Sequence, residues 1–117
     1  MSRPLRALIY ARYSTDLQSA SSAEDQIRVC RQLCEAHGWH VVEEVRDEAI
    51  SGASHLRQGF QRLHEAAQDG ICDVIVAEAL DRLSRDQEHM AALHKRMAYH
   101  RVKIVTRSEG EIDEMRI

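Results

Sequence analysis

The chain has 117 residues, of which 44% are hydrophobic and 30% charged, with a formal net charge of -3. This is enough for one domain with one core, and it excludes wholesale disorder. No apolar run approaches the length that spans a bilayer, and MSRPLRALIY has neither the apolar centre nor the cleavage site of a signal peptide, so a soluble, intracellular, cytoplasmic protein is expected, with no membrane partner.

In chain order, Leu5 to Tyr10 reads as a buried strand, followed by the polar run that closes the stretch YARYSTDLQ, Tyr10 to Gln18. Ser21 and Ser22, with Glu24 and Asp25 after them, resemble a capping box, and Ile27, Cys30, Leu33 and Cys34 then recur at helical spacing until Gly38. His40 to Val45 is a second strand. The polar loop Arg46 to Gly59 carries Ser51-Gly52 as its turn signal. A second helix starts near Gln58 with Phe60, Leu63, Ala66 and Ala67 on one face and ends near Asp69-Gly70. Cys72 to Ala77 is a third strand, Leu80 to Asp86 a polar, basic segment, and Met90, Leu93 and Met97 mark a third helix. Val102 to Val105 is a fourth strand, and the acidic tail from Glu109 to Ile117 carries no readable pattern.

Repeated strand-helix units predict an α/β fold, a parallel sheet with helices on both faces. Ligands of such sheets bind beyond the carboxyl ends of the strands. Arg12 and Ser14 follow the first strand, Asp47 and Arg57 the second, and Asp81, Arg82 and Arg85 the third. Parallel strands would deliver all three loops to one edge, giving one site a serine, four arginines and two or three carboxylates.

That set suits attack on a phosphate. Charge builds on the non-bridging oxygens, and guanidinium groups meet it with a permanent charge and a fork of donors. The blander readings are that the run after the first strand holds ordinary turn residues, and that Arg82 and Arg85 lie on a solvated helix face beside Glu78, Asp86 or Glu88. Asp81 fits a proton-transfer role and a structural one, bracing Arg82 or capping amides, equally well. The five glycines are scattered singly, giving neither a Walker loop nor a dinucleotide-binding turn. Cys30, Cys34 and His37 fall on one helical face at the spacing of zinc ligands, but they also continue the Ile27 apolar face, and core packing is the expectation. Three cysteines without a secretory signal imply reduced thiols.

YARYSTDLQ resembles the Y-x-R-x-S-T-x-x-Q signature of the serine recombinases, the resolvase/invertase family. LDRLSRD, Leu80 to Asp86, is similar to a second family signature, and the loop Asp47 to Phe60, with Gly52 and Arg57, to a third. The spacing from Ser14 to Gln26 and the sequence EDQIRVC look like the large serine recombinases of phages and mobile elements. The resemblance implies site-specific recombination, in which a serine attacks a DNA phosphodiester, forms a 5′-phosphoserine link and frees a 3′-hydroxyl. By position it makes Ser14 the nucleophile, Arg12, Arg57, Arg82 and Arg85 the active-site arginines, and Gln18, Gln26 and Asp81 supporting residues. It implies no cofactor, double-stranded DNA attachment sites as substrate, and homodimers and tetramers of the parent protein.

Residues 1–117 then correspond to the catalytic domain alone, without the long dimerisation helix and DNA-binding domains of the family, and weak or no activity is expected of it in isolation. Its mild acidity fits that division, because a domain that grips DNA by itself is usually basic. Two other classes remain open at this point: a metal-dependent nuclease using Asp16, Asp47 and Asp81, and a non-catalytic module that binds a phosphorylated ligand or a partner.

Overall fold

In the computed structural model the described residues are 3–12, 20–47, 58–84 and 86–113. Their elements are β1 (Arg6–Arg12), α1 (Ala20–His37), β2 (His40–Asp47), α2 (Gln58–Gln68), β3 (Val74–Ala77), α3 (Leu80–Leu83), α4 (Gln87–Tyr99), β4 (Lys103–Thr106) and β5 (Gly110–Glu111). They form one sheet in the order β2-β1-β3-β4-β5. The first four strands are parallel and β5 runs antiparallel to β4.

Strand β1 lies inside the sheet, and Ala7 to Ala11 are fully buried. Its side chains alternate between two cores, as the two-residue period of a strand requires. Leu8 and Tyr10 join Ile75, Ala77 and Ile104 beneath α2 and α4, which supply Leu63, Ala66, Ala67, Met90, Leu93 and Met97. Ala7, Ile9 and Ala11 join Val74, Val76 and Val105 on the opposite face, against Ala23, Ile27, Cys30 and Cys34 of α1. The expected parallel sheet with helices on both faces is therefore the observed architecture. Cys30 and Cys34 pack as core residues, while the His37 ring stacks on Trp39 with centroids 4.4 Å apart.

Element ends differ from the sequence reading in ways that matter for the site. Strand β1 continues to Arg12 and β2 to Asp47, and these two residues are register partners at the carboxyl edge. Helix α1 includes Ser21 and Ser22, so they do not precede it as a capping box would. The segment after β3 folds as the single turn α3, and the tail contributes β5.

Helices α1 and α2 both stop at a left-handed glycine, Gly38 with φ 72° and Gly70 with φ 69°. Helix α4 closes the same way: Arg101 N–H donates to Ala98 O at 3.0 Å and Val102 N–H to Met97 O at 2.8 Å. Here the left-handed residue is Arg101, with φ 61°, so the sequence shows no glycine stop where the helix ends.

Candidate functional site

The carboxyl edge of the sheet is built around Arg12. Its side chain reaches α3, where Nε donates to the Arg82 carbonyl at 3.0 Å and one terminal nitrogen donates to the Asp81 carbonyl at 2.8 Å. Those carbonyls are near the end of a four-residue helix, where oxygens lack intrahelical partners and carry the negative end of the helix dipole. Arg12 is only 7% exposed, so its charge is held in position by the main chain of another motif.

The main chain of Arg12 is fixed from the other side. Gln26, on α1 and 1% exposed, accepts from Arg12 N–H at 3.2 Å through Oε1 and donates from Nε2 to Arg12 O at 3.0 Å. A carboxamide carries a donor and an acceptor side by side and so meets both main-chain groups of one residue, which a carboxylate or an aliphatic residue cannot do. Gln26 thereby takes up main-chain groups of β1 beyond Ile9, where β3 no longer pairs with it.

A second clamp closes the β2 end. Asp47, 2% exposed, accepts from Tyr10 Oη at 2.5 Å, from Gly59 N–H at 2.8 Å and from Phe60 N–H at 3.0 Å. The carboxylate ties β1 to the first turn of α2, where exposed amides and the positive dipole end favour an anion. A Cβ on Gly59 would stand 2.8 Å from the Asp47 carboxylate carbon, so this approach requires glycine.

Of the residues expected at the site, Arg12, Gln26, Asp81 and Arg82 lie within one connected set of bonds. Arg82 also pairs with Glu78, four residues earlier and ahead of α3, Nε to Oε1 at 3.3 Å, with its side chain 20% exposed. Asp81 acts through its main-chain oxygen, and the residue is exposed. Asp86 caps α4, accepting from Glu88 N–H and His89 N–H. Ser14, Gln18, Arg57 and Arg85 lie outside the described residues, as does Asp16. Tyr10 and Gly59 are not marked by the sequence as site-building residues, and Asp47, expected at this edge as one of its carboxylates, serves as the clamp between them. A lone aspartate ending a valine-rich strand, ahead of a glycine that opens a helix, is the faint signal that could have found them.

Residues 7–116 match the model of the family described as Resolvase, N terminal domain. The chain belongs to the resolvase family. Among solved structures, this resolvase domain is 26% identical to the N-terminal catalytic domain of TP901-1 integrase, covering 95% of this chain and 85% of that one with a TM-score of 0.81. It is 31% identical to the C-terminal catalytic domain of ISC1926 TnpA, an IS607-like serine recombinase, covering 88% and 70% with a TM-score of 0.79. A resolvase family site-specific recombinase from Streptococcus pneumoniae shares the fold, with a TM-score of 0.80 at 23% identity over 97% of this chain and 78% of that one. A search of curated proteins gives no match. Membership in the resolvase family implies site-specific recombination, with DNA as the substrate and assembly into oligomers. Among the described residues no helix is long and apolar enough to cross a membrane.

Proposed function

We propose that this resolvase-family domain cuts and rejoins double-stranded DNA at attachment sites by transesterification through Ser14, with no cofactor. The Ser14 hydroxyl oxygen attacks the phosphorus, the bond to the 3′ oxygen breaks, and that oxygen leaves as a 3′-hydroxyl after taking a proton. The 5′ phosphate stays on Ser14 until a 3′-hydroxyl attacks it in the reverse sense, so the phosphodiester energy is conserved and no ATP is consumed. Arg12, Arg57, Arg82 and Arg85 stabilise the charge on the non-bridging oxygens. Gln18, Gln26 and Asp81 act in support, Gln26 by holding the Arg12 peptide and Asp81 through the carbonyl that receives the Arg12 guanidinium.

The observation that carries this reading is the pair of bonds from Arg12 to the Asp81 and Arg82 carbonyls, which joins two of the resembling motifs. Residues far apart in sequence are held together by charged hydrogen bonds, as a pre-organised phosphate site needs. The family context supports DNA cleavage by dimers and tetramers of a longer cytoplasmic parent, phage-borne or on a mobile element, in which the catalytic domain alone cleaves poorly. Incubating the 117-residue chain and a protein that adds DNA-binding domains to it with the same site-bearing DNA tests this division. Robust recombination by the short chain alone would contradict it.

The commitments of Asp47 weigh against the metal-nuclease reading. Its oxygens are engaged by Tyr10, Gly59 and Phe60, and the carboxylate is directed into the fold. Metal-independent cleavage separates the two readings, because the transesterase works in chelator and a two-metal nuclease does not.

A further inference from the structure

Helix α3 is a single turn, and a helix so short is held by its surroundings more than by its own bonds. Its N-cap residue, Ala79, makes no side-chain cap. The acceptor comes from the β4–β5 turn, where Glu109 Oε1 receives Leu80 N–H at 3.1 Å and the Thr106 hydroxyl at 2.6 Å. Thr106, 1% exposed, also accepts from the Glu109 amide at 2.9 Å through the same hydroxyl oxygen. The carboxylate is therefore fixed at its root and at its tip. The same turn is laced to the end of β3 by Arg107 N–H to Ala77 O at 3.1 Å and Ser108 N–H to Glu78 O at 3.0 Å. At the far side of α3, the Asp81 and Arg82 carbonyls hold the Arg12 guanidinium.

We infer that Glu109 is a positioning residue for Arg12: it caps α3 from the β4–β5 turn and so fixes the carbonyl pair on which the arginine rests. The value of this for phosphate binding rests on the function proposed above. The mechanical link does not, and it is measurable without DNA.

The test is the hydrogen-exchange rate of arginine Nε–H groups, measured by NMR on the folded chain. Arg12 Nε–H donates to Arg82 O, and Arg6 Nε–H, at the opposite edge of the sheet, donates to Asp73 Oδ2 at 3.0 Å and serves as the internal reference. Glu109→Ala is expected to speed Arg12 exchange about fivefold, the ratio that the loss of a typical helix cap corresponds to, and to leave Arg6 unchanged. Glu109→Gln keeps an oxygen at the Oε1 position and is expected to preserve the slow rate. Glu109→Asp keeps the charge but is one methylene short of Leu80, and is expected to follow alanine. An unchanged Arg12 rate in the alanine and aspartate variants would overturn the inference, as would Arg6 and Arg12 accelerating together or glutamine behaving like alanine. Failure of the Ser14 chemistry would leave these rates as they are, so the two claims fail separately.

Discussion

The Gln26 carboxamide forms a closed ring of two hydrogen bonds with the peptide groups of Arg12, one residue on α1 and the other at the end of β1. The ring forms at the last residue of β1, beyond Ile9, where pairing with β3 has ended while pairing with β2 continues to Asp47. Gln26→Ala strands a buried N–H and a buried C=O, and the expected loss is roughly 2–4 kcal/mol, summed from two unmade bonds. Gln26→Glu keeps the acceptor but sets a second oxygen against the Arg12 carbonyl, and is expected to destabilise as well. Urea titration should show a lower midpoint at unchanged slope for both variants. Midpoints equal to that of the parent would mean the ring contributes nothing.

Gly59 and Asp47 make a prediction whose sign depends on context. Alanine favours a helix over glycine by up to about 1 kcal/mol, yet its Cβ at position 59 would lie 2.8 Å from Asp47 Cγ and Oδ2. Gly59→Ala should therefore destabilise the parent. In an Asp47→Ala background the obstruction is gone, and the same substitution should be neutral or stabilising. A double-mutant cycle by urea unfolding measures the coupling, and additive effects would contradict the close approach.

Burial governs the thiols. It pushes Cys30 up to about 12, with Cys34 and Glu78 adding to the shift, and pushes Cys34 and Cys72 up to about 11. A thiol reacts as the thiolate, so all three should resist iodoacetamide in the native protein and react together in urea. Mass spectrometry of native protein showing rapid labelling of any one of them would place that cysteine outside the core.

Three surface pairs contribute to stability at the acid side. Side-chain hydrogen bonds from Arg6, Arg62 and Arg31 hold Asp73, Glu43 and Glu44 below their ordinary values. The folded state then binds fewer protons than the unfolded chain, so the contribution is complete above the unfolded values near about pH 4 and is lost as pH falls through the folded values. Each pair is solvent-accessible and worth little alone. Replacing Arg6, Arg31 and Arg62 together by glutamine should flatten the fall of stability on the acid side of about pH 5. An unchanged acid limb would show that other carboxylates control it.

What the sequence revealed follows from how each element is buried. Strands β1 and β3 are covered on both faces and read as continuous apolar runs, whereas β5 is two residues, Gly110–Glu111, with no apolar run at all. The α4 stripe of Met90, Leu93 and Met97 was plain, but its end was not, because Arg101 occupies the left-handed position that glycine marks elsewhere. At the site, Arg12, Gln26, Asp81 and Arg82 were legible through their motifs. The links among them were not, because they run from side chains to main-chain oxygens and amides, which every residue type possesses. The capping roles of Asp47 and Glu109 were hidden for a related reason: an aspartate or glutamate that caps a distant helix has the sequence appearance of an ordinary turn residue.

The most direct measurement of the central claim is a search for DNA on Ser14. A protein that joins DNA-binding domains to the whole chain is incubated in chelator with DNA bearing the recombination site, quenched in detergent and digested with nuclease and trypsin. Cleavage after Arg12 and Arg28 releases the peptide from Tyr13 to Arg28, which has no internal lysine or arginine, and fragmentation distinguishes Ser14 from Thr15, Ser19, Ser21 and Ser22. The account predicts a nucleotide adduct on Ser14 that forms without metal and disappears in Ser14→Ala. Cleavage that leaves no adduct and requires magnesium would contradict it.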